Sequence, residues 1–143
     1  MHTIINPYLI AGGTLSAIAA LFHLGCIVFG ASWFRYLGAG ERMAQMATDG
    51  QWYPTLAALV IASVLVVWSV YAFSGAGVVP HLPLLRWALC AITAIYLLRG
   101  VAFVVIVPYF PGNSTMFWIV SSSICLAIGI VHLVGVTKAW QQL

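Results

Sequence analysis

Four long apolar runs, punctuated by proline and glycine, dominate this chain. They read as residues 8–34, 54–73, 83–107 and 115–137. Each has the roughly 20–27 residues that an α-helix, rising about 1.5 Å per residue, uses to cross about 30 Å of hydrocarbon. Asn6-Pro7 opens the first run and Gly38-Ala39-Gly40 follows it. Pro54 opens the second and Ser74-Gly75-Ala76-Gly77 closes it. Pro83 opens the third, Pro108 and Pro111 stop it, and Gly112-Asn113-Ser114 leads into the fourth. Proline at helix starts and glycine past helix ends is the asymmetry expected of helix boundaries.

Composition points the same way. The 143 residues are 64% hydrophobic and 5% charged, whereas soluble domains carry about 25% charged residues. The expected fold is an all-α integral membrane protein, a four-transmembrane-helix antiparallel bundle forming one domain over residues 1–143. The expected location is the plasma (inner) membrane, as a multi-pass protein. No Lys or Arg precedes the first run, so it reads as a retained helix rather than a signal peptide. Tyr8, Trp33, Tyr36, Trp52, Tyr53, Trp87, Tyr109, Trp118 and Trp140 fall near the proposed ends, where interfacial aromatics belong. Tyr96 alone among the tyrosines lies deep.

Four crossings put both termini on one face, the terminal face, and the first and third loops on the other, the loop face. Arg35 and Arg42 lie on the loop face and Arg86 and Lys138 on the terminal face, so the positive-inside rule returns a tie. The first loop is the only substantial one. Residues 40–48 place Met43, Met46 and Ala47 on one helical side, which predicts a short interfacial helix ended by Gly50.

Arg99 is the costly residue. A guanidinium stays charged, and near mid-bilayer it costs about 2.5–3.5 kcal/mol even on the lenient insertion scale. It lies about 12 Å from the loop-face end of its run by helical rise. By the same measure His23 lies about 15 Å in, Ser121 to Ser123 about 9–12 Å, Ser63 about 14 Å and Cys125 about 15 Å. Cys26 is one turn nearer the loop face than His23. The intramembrane polar residues are therefore expected to share one layer. His132, nearer the terminal face, reads as structural, and His2 and His81 are uninformative. Ser16, Ala20, His23 and Gly30 form one stripe, and Ser121, Cys125, Gly129 and His132 another. Small-residue stripes like these pack membrane helices closely. The only carboxylates, Glu41 and Asp49, belong to the first loop. Glu41 is thus the expected counter-ion of Arg99, with a bound carboxylate or phosphate as the alternative.

Several chemistries are disfavoured. No nucleophile-elbow, zinc-protease, Walker or Rossmann pattern occurs. No run contains an acidic residue, which argues against the carboxylate-dependent small multidrug transporters. The cysteines at 26, 90 and 125 form no C-x-x-C pair, which argues against a zinc site or a dithiol redox pair. Size and span number resemble the four-helix glutathione and eicosanoid enzymes of membranes, but their acidic and asparagine motifs are not present. The sequence names no cofactor and no metal. A net charge of +3 is too scattered for nucleic acid and suits anionic lipid headgroups.

The leading expectation is a small membrane protein that binds or transports an anionic or amphipathic ligand. Arg99 would be its fixed cation, His23, Tyr96 and Ser122 its neutral hydrogen-bonding groups, and Glu41 a gate or counter-ion. A membrane enzyme acting on a lipid-like substrate, with His23 as acid or base, is one alternative. An accessory subunit in which Arg99 pairs with another chain is the other. Four short helices enclose little interior, so a homo-oligomer is expected.

Overall fold

The computed structural model describes residues 5–109 and 112–143; His2 and Pro111 lie outside them. The described residues form helices and no strands: α1 (Pro7–Phe29), α2 (Ala31–Tyr36), α3 (Glu41–Thr48), α4 (Trp52–Gly75), α5 (Leu85–Val101), α6 (Phe103–Ile106) and α7 (Thr115–Ala139), with a 3-10 turn at Val107–Tyr109. Helices α1, α4 and α7 are long and apolar enough to cross a membrane. Helix α5 and its continuation make a fourth crossing if that bent pair counts as one span. Much of the outer surface is apolar: Leu21 is 65% exposed, Val28 75% and Val104 69%. Such a surface suits hydrocarbon rather than water.

The helices pair as α1 with α4 and α5 with α7, and the two pairs meet chiefly where α1 touches α7. Polar caps lock the terminal face. The Asn6 side chain accepts from the backbone N–H groups of Tyr8 and Leu9, satisfying donors that the first turn of α1 leaves open. Its Nδ2 donates to the Gly135 carbonyl at 2.8 Å, and its backbone N–H donates to Ala76. One residue therefore joins α1, α7 and the end of α4. Ser74 does the same for the next loop: its hydroxyl donates to Pro80 and accepts from the Leu82 N–H.

Two run boundaries differ from expectation. The first run does not continue to residue 34. Helix α1 stops at Phe29, and Gly30, at φ 63° and ψ −140°, turns the chain into α2. Only glycine adopts that backbone cheaply. The third run is not one straight helix either. It breaks at Ala102, and the continuation leaves at 59°. Val104, Val105, Ile106 and Val107 are β-branched and Pro108 cannot donate, so nothing propagates the helix beyond its last well-packed turn. The expected interfacial helix is present as α3. Ala44 is buried, Met43 and Ala47 pack against the cluster of Cys26, Phe34 and Ala58, and Gly50 follows at φ 71°.

Helices α5 and α7 approach most closely at two glycines. A Cβ added to Gly100 would stand 2.8 Å from Leu126 Cβ and 2.9 Å from the Leu126 backbone. One added to Gly129 would stand 2.8 Å from Leu97 Cδ2 and 3.0 Å from the Leu97 backbone N. Because backbone cannot give way, Gly100→Ala is expected to destabilise the bundle by about 1–3 kcal/mol. Ser63→Ala, at an exposed position, is expected to stay within about 0.5 kcal/mol. Unfolding titrations of the two variants in mixed micelles check the contrast.

Candidate functional site

The register of α5 against α7 determines what Arg99 meets. Gly100 lies beside Leu126 and Leu97 beside Gly129, so residue 99 is level with about residue 127 of the antiparallel helix. The guanidinium does not stay at that level. Its Nη1 donates to Ser122 Oγ at 3.0 Å and its Nη2 to Ser121 Oγ at 2.9 Å. Those serines lie five or six residues nearer the start of α7, so the side chain reaches about 7–9 Å toward the loop face. This is snorkelling along a neighbouring helix. The guanidinium carbon also stands 5.0 Å from the centroid of the Trp118 ring. Trp118, Ser121 and Ser122 are spaced i, i+3 and i+4 and so share one side of α7. That side forms a shallow seat with an aromatic floor and two hydroxyls.

The seat holds no counter-charge. Glu41 was the expected partner, and the structure corrects this: its carboxylate is taken by Arg35. Arg35 Nη2 donates to Glu41 Oε1 at 2.7 Å and Nε donates to Oε2 at 2.9 Å. Gly30 ends α1 early and aims α2 so that Arg35 faces the first turn of α3. The other carboxylate, Asp49, accepts from Gln45. Among the described residues the only salt bridge is Arg35–Glu41.

Tyr96 and the histidines divide differently from expectation. Tyr96 does not face Arg99. Its hydroxyl is 2.8 Å from Ser16 Oγ, a bond that runs from α5 to α1. Its ring meets Trp68 edge-on at 5.0 Å and lies 5.4 Å from the ring of His132. His132, expected near an interface, is fully buried. Its Nδ1 faces the Ile128 carbonyl at 3.0 Å, and Gly12 leaves the space its ring fills. A carbonyl only accepts, so Nδ1 carries the proton. His23 makes the same local bond, Nδ1 to the Ala19 carbonyl at 2.8 Å, and is half-buried. Ser63 leaves the expected layer altogether: it is exposed and its hydroxyl donates to Leu59. Ser123 is exposed as well.

Of the five expected ligand-binding residues, then, only Arg99 and Ser122 are brought together. Tyr96 belongs to a second buried cluster, His23 bonds to its own helix and Glu41 belongs to the clasp between α2 and α3. Ser121 was in the expected layer. Trp118 was assigned to an interface, and its i−3/i−4 spacing to the serines was the signal that placed it in the seat. No group of three or more His, Cys, Asp or Glu side chains suited to a metal occurs among the described residues. A groove of about 570 Å³ lies on the loop face between the end of α1, α2 and the start of α4. Cys26, Phe34, Gln51 and Thr55 are among its lining residues, and none of the five expected ligand-binding residues is. No family model matches the chain, and no curated protein or solved structure shows significant similarity to it.

Two outcomes follow from these contacts. Tyr96→Phe strands Ser16 in the core and is expected to cost about 1–2 kcal/mol, while adding Ser16→Ala recovers part of that loss. A double-mutant cycle by unfolding titration measures the coupling. The Arg35 guanidinium holds the Glu41 carboxyl below its ordinary range through its hydrogen bonds. The clasp is therefore kept at neutral and mildly acid pH and released only as pH falls through that lowered value. The Arg35 Nε–H resonance is expected to report a single transition below the usual glutamate range, and Glu41→Gln to show the released position throughout.

Proposed function

We propose that this chain is a multi-pass protein of the plasma (inner) membrane that binds a small anionic or amphipathic ligand at Arg99. The observation that carries the reading is a guanidinium seated among apolar helices on two serine hydroxyls, with no carboxylate opposite it. With α1, α4 and α7 in a bilayer and the bent α5 unit as the fourth crossing, Ser121 and Ser122 lie about 9–11 Å inside the start of α7. A cation at that depth draws in an anion or water.

The serines suit such a ligand. Two other hydroxyls of the bundle donate to a carbonyl of their own helix, Ser63 to Leu59 and Thr93 to Leu89, and Ser69 donates across to Gly13. Ser121 and Ser122 instead accept from Arg99; Ser122 is buried and Ser121 half-buried, so the Ser121 O–H is the one able to donate outward. A carboxylate or phosphate oxygen would then receive bonds from the Ser121 hydroxyl and from the remaining guanidinium protons, the charge-assisted kind that bind tightly. An acyl chain would lie along the exposed apolar surface where α5 bends, at Leu98, Val101 and Val105. Binding fits better than passage through the bundle. On the terminal side of Arg99 the glycine contacts of α5 with α7 and the Tyr96–Ser16 bond close the interior.

Lauric acid and dodecyl phosphate, added to the protein in a neutral maltoside detergent, are expected to raise its unfolding temperature, and dodecanol is not. Arg99→Gln should weaken the response about tenfold to a hundredfold in ligand concentration while the helical content is kept. Arg99→Lys should retain part of it, since a lysine cannot span both serines. Equal responses from the wild type and Arg99→Gln would overturn the reading.

A further inference from the structure

The two faces of the bundle hold equal numbers of basic residues but differ in what those residues are free to do. On the loop face Arg35 is closed into a bidentate pair with Glu41, and Asp49 follows in the same loop. The formal charges of Arg35, Arg42, Glu41 and Asp49 cancel. On the terminal face Arg86 and Lys138 have no carboxylate partner among the described residues. Each stands on an aromatic ring: the Arg86 guanidinium is 4.7 Å from the Trp140 centroid and the Lys138 amine 4.9 Å from that of Tyr8. Arg86 also donates to the Trp140 carbonyl at 3.3 Å. The two cations flank the last turn of α7.

A cleft of about 200 Å³ opens beside Lys138, between the start of α1 and the end of α7; Arg86 does not line it. Its lining includes Asn6, Tyr8, Lys138 and Gln142. The Asn6 side chain is spent on the α1 cap and on Gly135, so the Lys138 amine, the Gln142 amide and the Tyr8 hydroxyl are the side-chain donors available to a ligand. The cleft is too small for a drug-sized molecule and matches a phosphate-bearing headgroup whose chains continue down the apolar surface.

We infer that the terminal face is an anionic-lipid contact surface, with Lys138 and Arg86 as its cations and the cleft beside Lys138 as the headgroup seat. This inference rests on the membrane reading but not on the Arg99 site. It also orients the chain: the face carrying both termini lies against the anionic cytoplasmic leaflet, where each near-surface cation adds attraction. The aromatic rings fix the cations at the level of the headgroups, the usual place of Trp and Tyr.

Native mass spectrometry of protein released from vesicles of phosphatidylglycerol and phosphatidylcholine provides the test. Wild type is expected to retain phosphatidylglycerol preferentially. Arg86→Gln and Lys138→Gln are each expected to reduce that preference about fivefold. The conservative pair Arg86→Lys with Lys138→Arg should preserve it. A preference unchanged in the double variant Arg86→Gln with Lys138→Gln would overturn the assignment. A loss shared by the conservative pair would do the same, because it would mark a packing defect rather than a charge effect. A reporter fused at the carboxyl end is expected to be active in the cytoplasm; activity on the opposite side would also reject the inference.

Discussion

The close approach of α5 to α7 at Gly100 and Gly129 is the constraint from which the rest of the site follows. Two helices separated by full-sized side chains would leave Arg99 stranded between them. With backbone against side chain at both glycines, the register is fixed and the guanidinium can reach past it to Ser121 and Ser122. The same contact explains why the helix ends where it does. Up to Gly100 the packing against α7 compensates for the poor helix propensity of the residues that follow. Beyond it the β-branched run touches α7 only through the single turn of α6, and the chain bends away at Ala102.

Polar groups in an apolar bundle have few solutions, and this chain uses three. Several hydroxyls and both described intrahelical histidines, His23 and His132, bond to a carbonyl one turn back. These bonds are local and ask nothing of the neighbouring helix. Ser16, Ser69 and Asn6 instead reach across to another helix and so help to fix which helices are neighbours. Arg99 is the third case. Its partners are neutral, so its hydrogen bonds are met while its charge is not. That difference is what the proposed ligand site rests on, because hydrogen bonding to hydroxyls offsets only part of the cost of taking a charge out of water.

Much of this was legible from residue order. The length of the apolar runs, Pro54, Ser114 and the aromatic positions located α4 and α7 to within two residues, and the methionine pattern located α3. The Gly30 turn was hidden because one glycine inside an apolar run carries no signal of its φ. The break at Ala102 was hidden because a run of valines reads as apolar whether or not it stays helical. Depth counted from run ends then inherited both errors. The place of His132 was counted from the other end of α7, and that count is silent on lateral burial; Gly12 on another helix makes room for the ring in the core, a pairing that no single-run periodicity contains. The Glu41 expectation failed for a related reason. Its nearest cation in space is six residues away in sequence, across a turn whose direction depends on Gly30.

Pairing also changes what a charge count means. Counting lysines and arginines treats Arg35 and Arg86 alike. In the folded chain the Arg35 guanidinium spends two nitrogens on one carboxylate, whereas Arg86 spends one long bond on a backbone carbonyl and keeps its charge. An anionic surface distinguishes these states because its attraction acts on the net local field and falls off within a Debye length. Both acidic residues of the chain lie in the loop between α2 and α4. Placing them there neutralises one face, leaves the other cationic, and removes from Arg99 the only internal anions that could have occupied its seat.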